Sequence, residues 1–179
     1  LEKNEGDGFE ELIRFPSVSV IIYLDEEVSV ESQSYSYRVL FIDSCGNSGQ
    51  YSNIGKTILL SVQTDELLLV NYVSWSRYEQ FNGSILYYRL WRSINGIYET
   101  EPIAELGPGQ LNYLDDLNEL EFDGKVCYYV EAVEGDNLFG NGDISRSNQD
   151  CGLVRPIVYI PNAFYPEGVN KVFLPVVSI

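Results

Sequence analysis

The sequence contains no histidine and no methionine among its 179 residues. Histidine is the commonest general base and metal ligand, so Ser-His-Asp catalysis, Cys-His catalysis and histidine-ligated zinc are excluded within this chain. Hydrophobic runs are also short, and none approaches the roughly 20 apolar residues that a membrane-crossing helix requires. The sequence therefore predicts no membrane insertion by this segment, and no motif in it predicts a catalytic residue or a cofactor.

Basic residues are scarce as well. Eleven Lys and Arg stand against 27 Asp and Glu, which gives a net charge of -16. Such a charge repels nucleic-acid phosphates and anionic lipid headgroups over the range that salt leaves unscreened. Nucleic acid is therefore not a predicted partner.

Tyrosine, in contrast, is abundant, and the apolar residues occur in short runs bounded by Gly, Asn, Asp, Ser and Pro. This pattern is typical of β-strands. Residues 35–53 and 126–148 repeat it closely, because each segment reads as a strand, a polar turn and a final Ser-Asn. Alternation places one apolar set of each segment on a single face. These sets are Tyr37, Val39 and Phe41 in the first segment and Tyr128, Val130 and Ala132 in the second.

The Tyr-x-Val-x pattern of both segments resembles strand F of fibronectin type III modules, in which the tyrosine packs near a corner between two sheets. The resemblance extends backwards from the second copy, where alternation turns Val73, Trp75, Tyr88 and Leu90 inward. The corresponding segments are residues 70–78 for strand B, 84–93 for strand C, 97–106 for strand C′ and 111–117 for strand E.

The sequence thus predicts an all-β protein of tandem fibronectin type III (immunoglobulin-like) β-sandwiches, the first of them incomplete. Residues 63–156 are expected to form one complete module. Residues 1–62 are expected to form a partial module without strands A and B, since Leu1 falls near the C strand. No linker rich in Pro or Ser separates the two, so we expect the modules to lie end to end.

The stretch "IVYIPNAFYPEGVNKVFLP", residues 157–175, resembles the start of the gliding motility-associated C-terminal domain, the type B sorting domain of type IX secretion. The family loop usually carries a longer Asn-Gly-Asp-Gly run, and here the loop is shorter and lacks the aspartate. The resemblance implies that residues 157–179 begin a sorting domain. It also implies a secreted or outer membrane-attached surface protein, with the secretion machinery as a partner.

Two of the three cysteines are predicted to form a disulfide. If the F to G hairpin is centred near Phe139, Cys127 and Cys151 lie directly opposite each other on neighbouring strands and face outward. Such a bond indicates an oxidising compartment; the alternative is two free thiols. Cys45 lies in a turn and is expected either to pair with the absent strands or to be free.

An exposed aromatic patch is predicted from Tyr87, Trp91 and Tyr129. Alternation turns all three outward on strands C and F, which are neighbours in a fibronectin type III sheet. Flat aromatic groups suit stacking on sugar rings or anchoring of a protein partner. The alternative, which the sequence favours, is that these side chains cover one another or pack on the neighbouring module.

Acidic clusters occur at residues 25–27, 115–116 and 135–143. Calcium requires six or more converging oxygens, and none of these runs has the spacing of an EF-hand. A solvated acidic surface explains them, so no metal site is predicted, with the loop at residues 136–143 as the one weak calcium candidate.

The sequence leaves three functions open. The favoured hypothesis is a non-catalytic, monomeric structural or interaction module of a secreted or cell-surface bacterial protein associated with gliding motility or adhesion, with a surface glycan or protein as its partner. The alternative is a carbohydrate-binding accessory module of a secreted enzyme, which would use the aromatic patch. An enzyme that relies on carboxylates is the least favoured, because the strands of the second module leave no segment for an active site.

Overall fold

The computed structural model describes residues 1–16, 22–137 and 142–155, and the backbone of residues 157–159 and 176–178. The described chain contains β-strands and no helix. In chain order the strands are β1 Glu2–Asn4, β2 Phe9–Glu11, β3 Ser36–Arg38, β4 Leu40–Ile42, β5 Ser48–Tyr51, β6 Gly55–Lys56, β7 Leu60–Asp65, β8 Val70–Trp75, β9 Ile85–Ile94, β10 Ile97–Tyr98, β11 Ala104–Leu106, β12 Asn112–Asp116, β13 Lys125–Glu134, β14 Ile144–Arg146, β15 Asp150–Leu153, β16 Ile157–Tyr159 and β17 Val176–Ser178.

Strands β7 to β15 form two antiparallel sheets. The three-stranded sheet has the order β12-β8-β7. The six-stranded sheet has the order β10-β9-β13-β14, with β11 also paired to β9 and β15 also paired to β13. Each long strand therefore carries two short partners on one edge, and the two sheets pack as a β-sandwich.

The core lies between these sheets and follows the alternation of the strands. Val73 and Trp75 point inward from β8, where their side chains are buried, and Tyr88 and Leu90 are buried on β9. The set Tyr128, Val130 and Ala132 on β13 is fully buried as well. The inward residues predicted for strands B, C and F of the second module are thus confirmed.

The first part of the chain forms a smaller sheet of order β2-β1-β3-β6, called here the first-half sheet, and a β4–β5 hairpin. Its junction to the sandwich is short, because Ile58 forms a bridge to Ser147 and β7 begins two residues later. The backbone N–H of Leu60 donates to Asn148 Oδ1 at 2.6 Å, and Asn148 Nδ2 donates back to the Leu60 carbonyl at 3.0 Å. This reciprocal pair fixes the start of β7 against the segment between β14 and β15.

The all-β sandwich class is therefore confirmed, while the fibronectin type III family in particular stays a prediction, as do the unit boundaries at residues 62/63 and 156/157. Residues 160–175, which carry most of the sorting-domain motif, lie outside the described residues, and so does Phe139. Strands β16 and β17 pair with each other in a separate two-stranded sheet. Among the described residues, no helix is long and apolar enough to cross a membrane.

Candidate interaction surface

The predicted patch lies on the outer face of the six-stranded sheet, where side chains form rows across the strands. One row has charges of alternating sign on β11, β9, β13 and β14, with Glu105 opposite Arg89, Arg89 opposite Glu131, and Glu131 opposite Arg146. Opposite charges on neighbouring strands stabilise a sheet by roughly 0.2–1 kcal/mol per pair. The charged side chains on this outer face are thus paired with opposite charges on the neighbouring strands.

Trp91 and Tyr129 are directly opposed on β9 and β13, and their rings stack with centroids 5.9 Å apart and planes 12° apart. The guanidinium carbon of Arg146 lies 3.4 Å from the centroid of the Tyr129 ring, and the Tyr98 ring meets it edge-on at 4.9 Å. Because β9 and β14 lie on opposite sides of β13, Trp91 and Arg146 cover Tyr129 from two sides.

The side chain of Tyr129 is consequently only 8 % exposed to solvent. The expectation that it stands exposed on the sheet was wrong, because aromatic and cationic neighbours on both flanking strands and on β10 close over it. Trp91 remains half-buried, and its Nε1 donates to Glu131 Oε2 at 2.9 Å. The aromatic groups cover one another, as the alternative hypothesis for this face described.

Tyr87 is placed apart from the stacked pair. It lies two residues before Arg89, and Arg89 Nη2 donates to the Tyr87 hydroxyl at 2.6 Å. Across the sheet Tyr87 faces Val133 on β13. The structure therefore joins Trp91 with Tyr129 and separates Tyr87 from them by the row of charges, and a binding role for the three residues stays a prediction.

The predicted disulfide is present at the end of the same face. Cys127 on β13 pairs directly with Cys151 on β15, with their Cα atoms 4.0 Å apart, and the two sulfur atoms are bonded. The two cysteines are 24 residues apart in the sequence, and the bond closes the loop between them. Cys45 is a free, exposed thiol in the turn before β5.

A buried polar network connects the two sheets from the inside. Arg92 Nη1 donates to both oxygens of Asp115, at 2.9 and 3.0 Å, and its Nη2 lies 2.6 Å from Glu99 Oε1. The Tyr128 hydroxyl donates to Asp115 Oδ2 at 2.7 Å and accepts from Asn71 Nδ2 at 2.9 Å. The network thus spans β12 and β8 on one sheet and β9 and β13 on the other.

Burial and the nearby Asp115 carboxylate raise the pKa of Tyr128 above its ordinary value. Burial alone would lower the pKa of Arg92, but Asp115 and Glu99 outweigh it and raise that pKa. Tyr128 therefore stays neutral and Arg92 stays charged at any physiological pH. Charged groups that are bonded to one another in this way act as a cross-link between the sheets rather than as an acid or a base.

Position 152 on β15 requires glycine, because the buried polar network lies close to the backbone there. A β-carbon at Gly152 would overlap the Asn71 side-chain amide and the Thr64 hydroxyl. Thr64 Oγ1 donates to Asn71 Oδ1 at 2.7 Å, so the network also reaches β7. Glycine at this position lets β15 close over the edge of the sandwich.

The first-half sheet contains the same arrangement. Lys3 Nζ lies 3.0 Å from Asp25 Oδ2, and the Tyr37 hydroxyl donates to the same oxygen at 3.0 Å. Lys3 and Tyr37 are directly opposed on β1 and β3, as Arg92 and Tyr128 are on β9 and β13. We call each group of a base, an aspartate and a tyrosine a basic–Asp–Tyr triad.

The local sequence around the two triads is also repeated. "LEK" at residues 1–3 corresponds to "LWR" at 90–92, "FE" at 9–10 to "YE" at 98–99, and "YLD" at 23–25 to "YLD" at 113–115. Burial and the hydrogen bond to Asp25 raise the pKa of Tyr37 to about 12. The first-half sheet therefore repeats β10, β9, β13 and the partner of β13 in strand order, local sequence and buried chemistry.

Glu134 fastens the loops at one end of the sandwich. Its side chain is buried at the end of β13, where it accepts from the backbone N–H groups of Gly83 and Asp143 and from Asn137 Nδ2. The hydrogen bond from Gly83 is the largest cause that lowers the pKa of Glu134 below its ordinary value. Burial would raise this pKa, but the three donors together outweigh it. The carboxylate therefore ties the β8–β9 loop to the β13–β14 hairpin.

Two shallow clefts flank Phe81 in the β8–β9 loop, with volumes of about 400 and 390 Å³. Asn53 and Arg146 line the first, and Pro108 and Ile85 line the second. Within residues 1–16, 22–137 and 142–155, no group of three or more acidic or thiol side chains converges as a metal site. Part of the weak calcium candidate, residues 138–141, lies outside the described residues.

No protein-family profile and no curated protein matches this chain. Among solved structures, the chain is similar to a pectate lyase from Erwinia chrysanthemi in complex with tetragalacturonic acid, with 19% identity and a TM-score of 0.40. The similarity covers 53% of this chain and 28% of the pectate lyase chain.

Proposed function

We propose that this chain is a non-catalytic structural and interaction segment of a secreted or cell-surface protein. The observation that carries the proposal is the repetition of the basic–Asp–Tyr triad at equivalent places of two sheets with the same strand order. Repeated modules with the same internal cross-link suit a spacer or a display scaffold, in which each unit is built to hold its shape. The charged groups in the interior form this cross-link.

The disulfide supports the proposed location. Structural disulfides persist in oxidising compartments and are rare in reducing ones. Together with the sorting-domain resemblance of residues 157–175, the bond between Cys127 and Cys151 supports export to the cell surface. Type IX secretion and a role in gliding motility or adhesion are the finer forms of the same proposal.

The carbohydrate-binding alternative is supported by Trp91, which remains half-buried rather than fully buried on the outer face. It is weakened by the cover over Tyr129, because a ring that is stacked on one side and capped by a guanidinium on the other offers no free face to a sugar. A glycan that binds on this face would therefore contact Trp91 first.

One experiment separates the two functions. Purified wild-type chain, Trp91→Ala and the matched control Tyr72→Ala, an exposed tyrosine on the three-stranded sheet, are applied to a glycan array. A structural and interaction segment whose partner is a protein is expected to give no saturable glycan binding. Binding that Trp91→Ala abolishes and Tyr72→Ala retains would instead establish the carbohydrate-binding function.

The location is tested by mass spectrometry of the protein from its producing cells. The peptide pair linked through Cys127 and Cys151 is expected in the medium or surface fraction. Recovery of the protein only in the cell lysate, with both thiols reduced, would refute export.

A further inference from the structure

The first-half sheet leaves apolar side chains exposed where its repeat in the second module has a core. Val39 and Phe41 continue the face of Tyr37, and they are 51% and 71% exposed. Their counterparts Val130 and Ala132, which continue the face of Tyr128, are both at 0%. An exposed apolar strip on one sheet face marks a surface that another element covers.

The second module shows which element covers this face. Leu60 on β7 and Val73 and Trp75 on β8 belong to the same core cluster as Val130 and Ala132. Strand β8 also supplies Asn71, which donates to the hydroxyl of the triad tyrosine. Within residues 1–16 and 22–59 there is no second sheet corresponding to β7 and β8.

The edge of the first-half sheet is open at the matching place. In the second module β9 pairs with β13 from Val126 to Glu134. In the first half β1 pairs only with residues 36–38, so β4 has β5 on one side and no strand of the described chain on the other. Because Glu2 is opposite Arg38 in an antiparallel pair, a backward continuation of β1 would run along β4.

We propose that this face and edge are a docking site for a β-hairpin and a following strand with the chemistry of residues 60–89. The hairpin would turn aliphatic and tryptophan side chains onto Val39 and Phe41 and bring an amide to the Tyr37 hydroxyl. The following strand would pair with β4. The first half then becomes a closed sandwich with the same two-sheet core as the second.

The register of the repeat supports this occupant over others. Leu1, Glu2 and Lys3 correspond to residues 90–92, so residues 60–89 hold the position that adjoins Leu1 in the second module. A second copy of the chain would bring its own first-half sheet, which contains no counterpart of β8 and no amide in the place of Asn71. Only the hairpin covers the face and completes the triad.

The proposal is tested by grafting a copy of residues 60–89 ahead of Leu1 and measuring amide hydrogen exchange. Within residues 39–42, exchange at the Leu40 and Ile42 amides is expected to slow by at least about ten-fold relative to the ungrafted chain, because these N–H groups face the open edge and become hydrogen-bonded and covered. The Val39 N–H already donates to Ser52 Oγ at 2.8 Å and is expected to change less. The matched control is the same graft with Val73→Asp and Trp75→Asp in the grafted copy, which is expected to leave exchange at residues 39–42 unchanged.

Protection of the Val130 amide in the second module reports that each protein is folded. If Val130 stays protected and the Leu40 and Ile42 amides do not slow in the graft, the proposal is overturned. It is also overturned if the ungrafted chain sediments as a dimer that Phe41→Asp converts to a monomer, because the occupant is then a second copy. The exposed apolar residue Leu114 on the three-stranded sheet provides the control Leu114→Asp.

Discussion

Asp115 is surrounded in the interior by Arg92 and Tyr128, which both direct hydrogen atoms at its carboxylate. A buried ion pair of this kind adds little net stability relative to apolar packing, but loss of one partner leaves the others without a bond and costs several times more. The energetic role of each member is therefore seen only when one of them is removed.

Tyr128→Phe removes the hydroxyl that joins Asp115 to Asn71 while it keeps the ring in the core. We expect the free energy of unfolding to fall by about 1–3 kcal/mol, because a buried carboxylate and a buried amide each lose a partner. Urea denaturation followed by circular dichroism measures the change, because this signal reports the strands of both halves whereas both tryptophans lie in the sandwich of β7 to β15. The matched control is Tyr37→Phe in the first-half triad, which is less buried and should cost less; an equal loss would contradict the role given to burial.

The buried network has a signal in the sequence that alternation analysis can find. Arg92 and Glu134 each lie in phase with the apolar residues of their strands, since they follow Tyr88 and Leu90, or Val130 and Ala132, at steps of two. A charge in phase with a buried face predicts a bonded interior group. Which partners bond it could not be predicted, because they come from strands distant in sequence.

At the level of strands, the cross-strand register determined which sequence predictions held. The opposition of Cys127 and Cys151 followed from counting residues around one hairpin, and it is confirmed. The burial of Tyr129 depended on Arg146 and Tyr98, which lie on two other strands. Alternation predicts the side of the sheet on which a residue lies, but the cover over it depends on long-range pairs.

The disulfide is expected to stabilise the edge formed by β13 and β15. Cys127→Ser combined with Cys151→Ser should lower the free energy of unfolding by about 3 kcal/mol, because the loop that the bond closes is freed in the unfolded chain. Guanidinium denaturation of the variant and of wild type, with and without a reducing agent, measures the effect. Cys45→Ser is the control and should change nothing; a wild type insensitive to reduction would contradict the prediction.

At the level of the whole chain, a net charge of -16 means that lowering the pH relieves repulsion while it removes specific carboxylate bonds. Glu134 is the main such carboxylate at the loop end of the sandwich. Its pKa is lower in the folded chain than the ordinary value of 4.5, so it binds fewer protons folded than unfolded. Its stabilisation is therefore complete above about pH 4.5 and is lost as the pH falls through the folded pKa.

Glu134→Gln should consequently destabilise the protein at pH 7 and lose this difference from wild type as the pH falls below about 4.5. Thermal unfolding across that range, followed by circular dichroism, measures the difference. Glu119→Gln, at an exposed carboxylate, is the control and should follow wild type throughout. A constant difference between Glu134→Gln and wild type at all pH values would show that the amide loses packing rather than charge.

The class of the whole molecule was predictable because alternation is a local property. Strands β8 and β12 fall within the segments that their apolar patterns predict, and β9 and β13 each extend one residue beyond theirs. The repeated triad was less visible, since Lys3 and Asp25 are ordinary surface residue types whose burial depends on contacts across the fold. The two clefts beside Phe81 have no sequence signal, because loops from separate parts of the chain form them.

The bond between Cys127 and Cys151 has a mechanical consequence when the chain is stretched. Tension then passes across the disulfide and bypasses the chain between the two cysteines, which are 24 residues apart in the sequence. At about 3.4 Å per extended residue, the fully unravelled chain is therefore shorter by roughly 80 Å than its residue count implies. The disulfide-bonded chain therefore extends less under tension than the reduced chain.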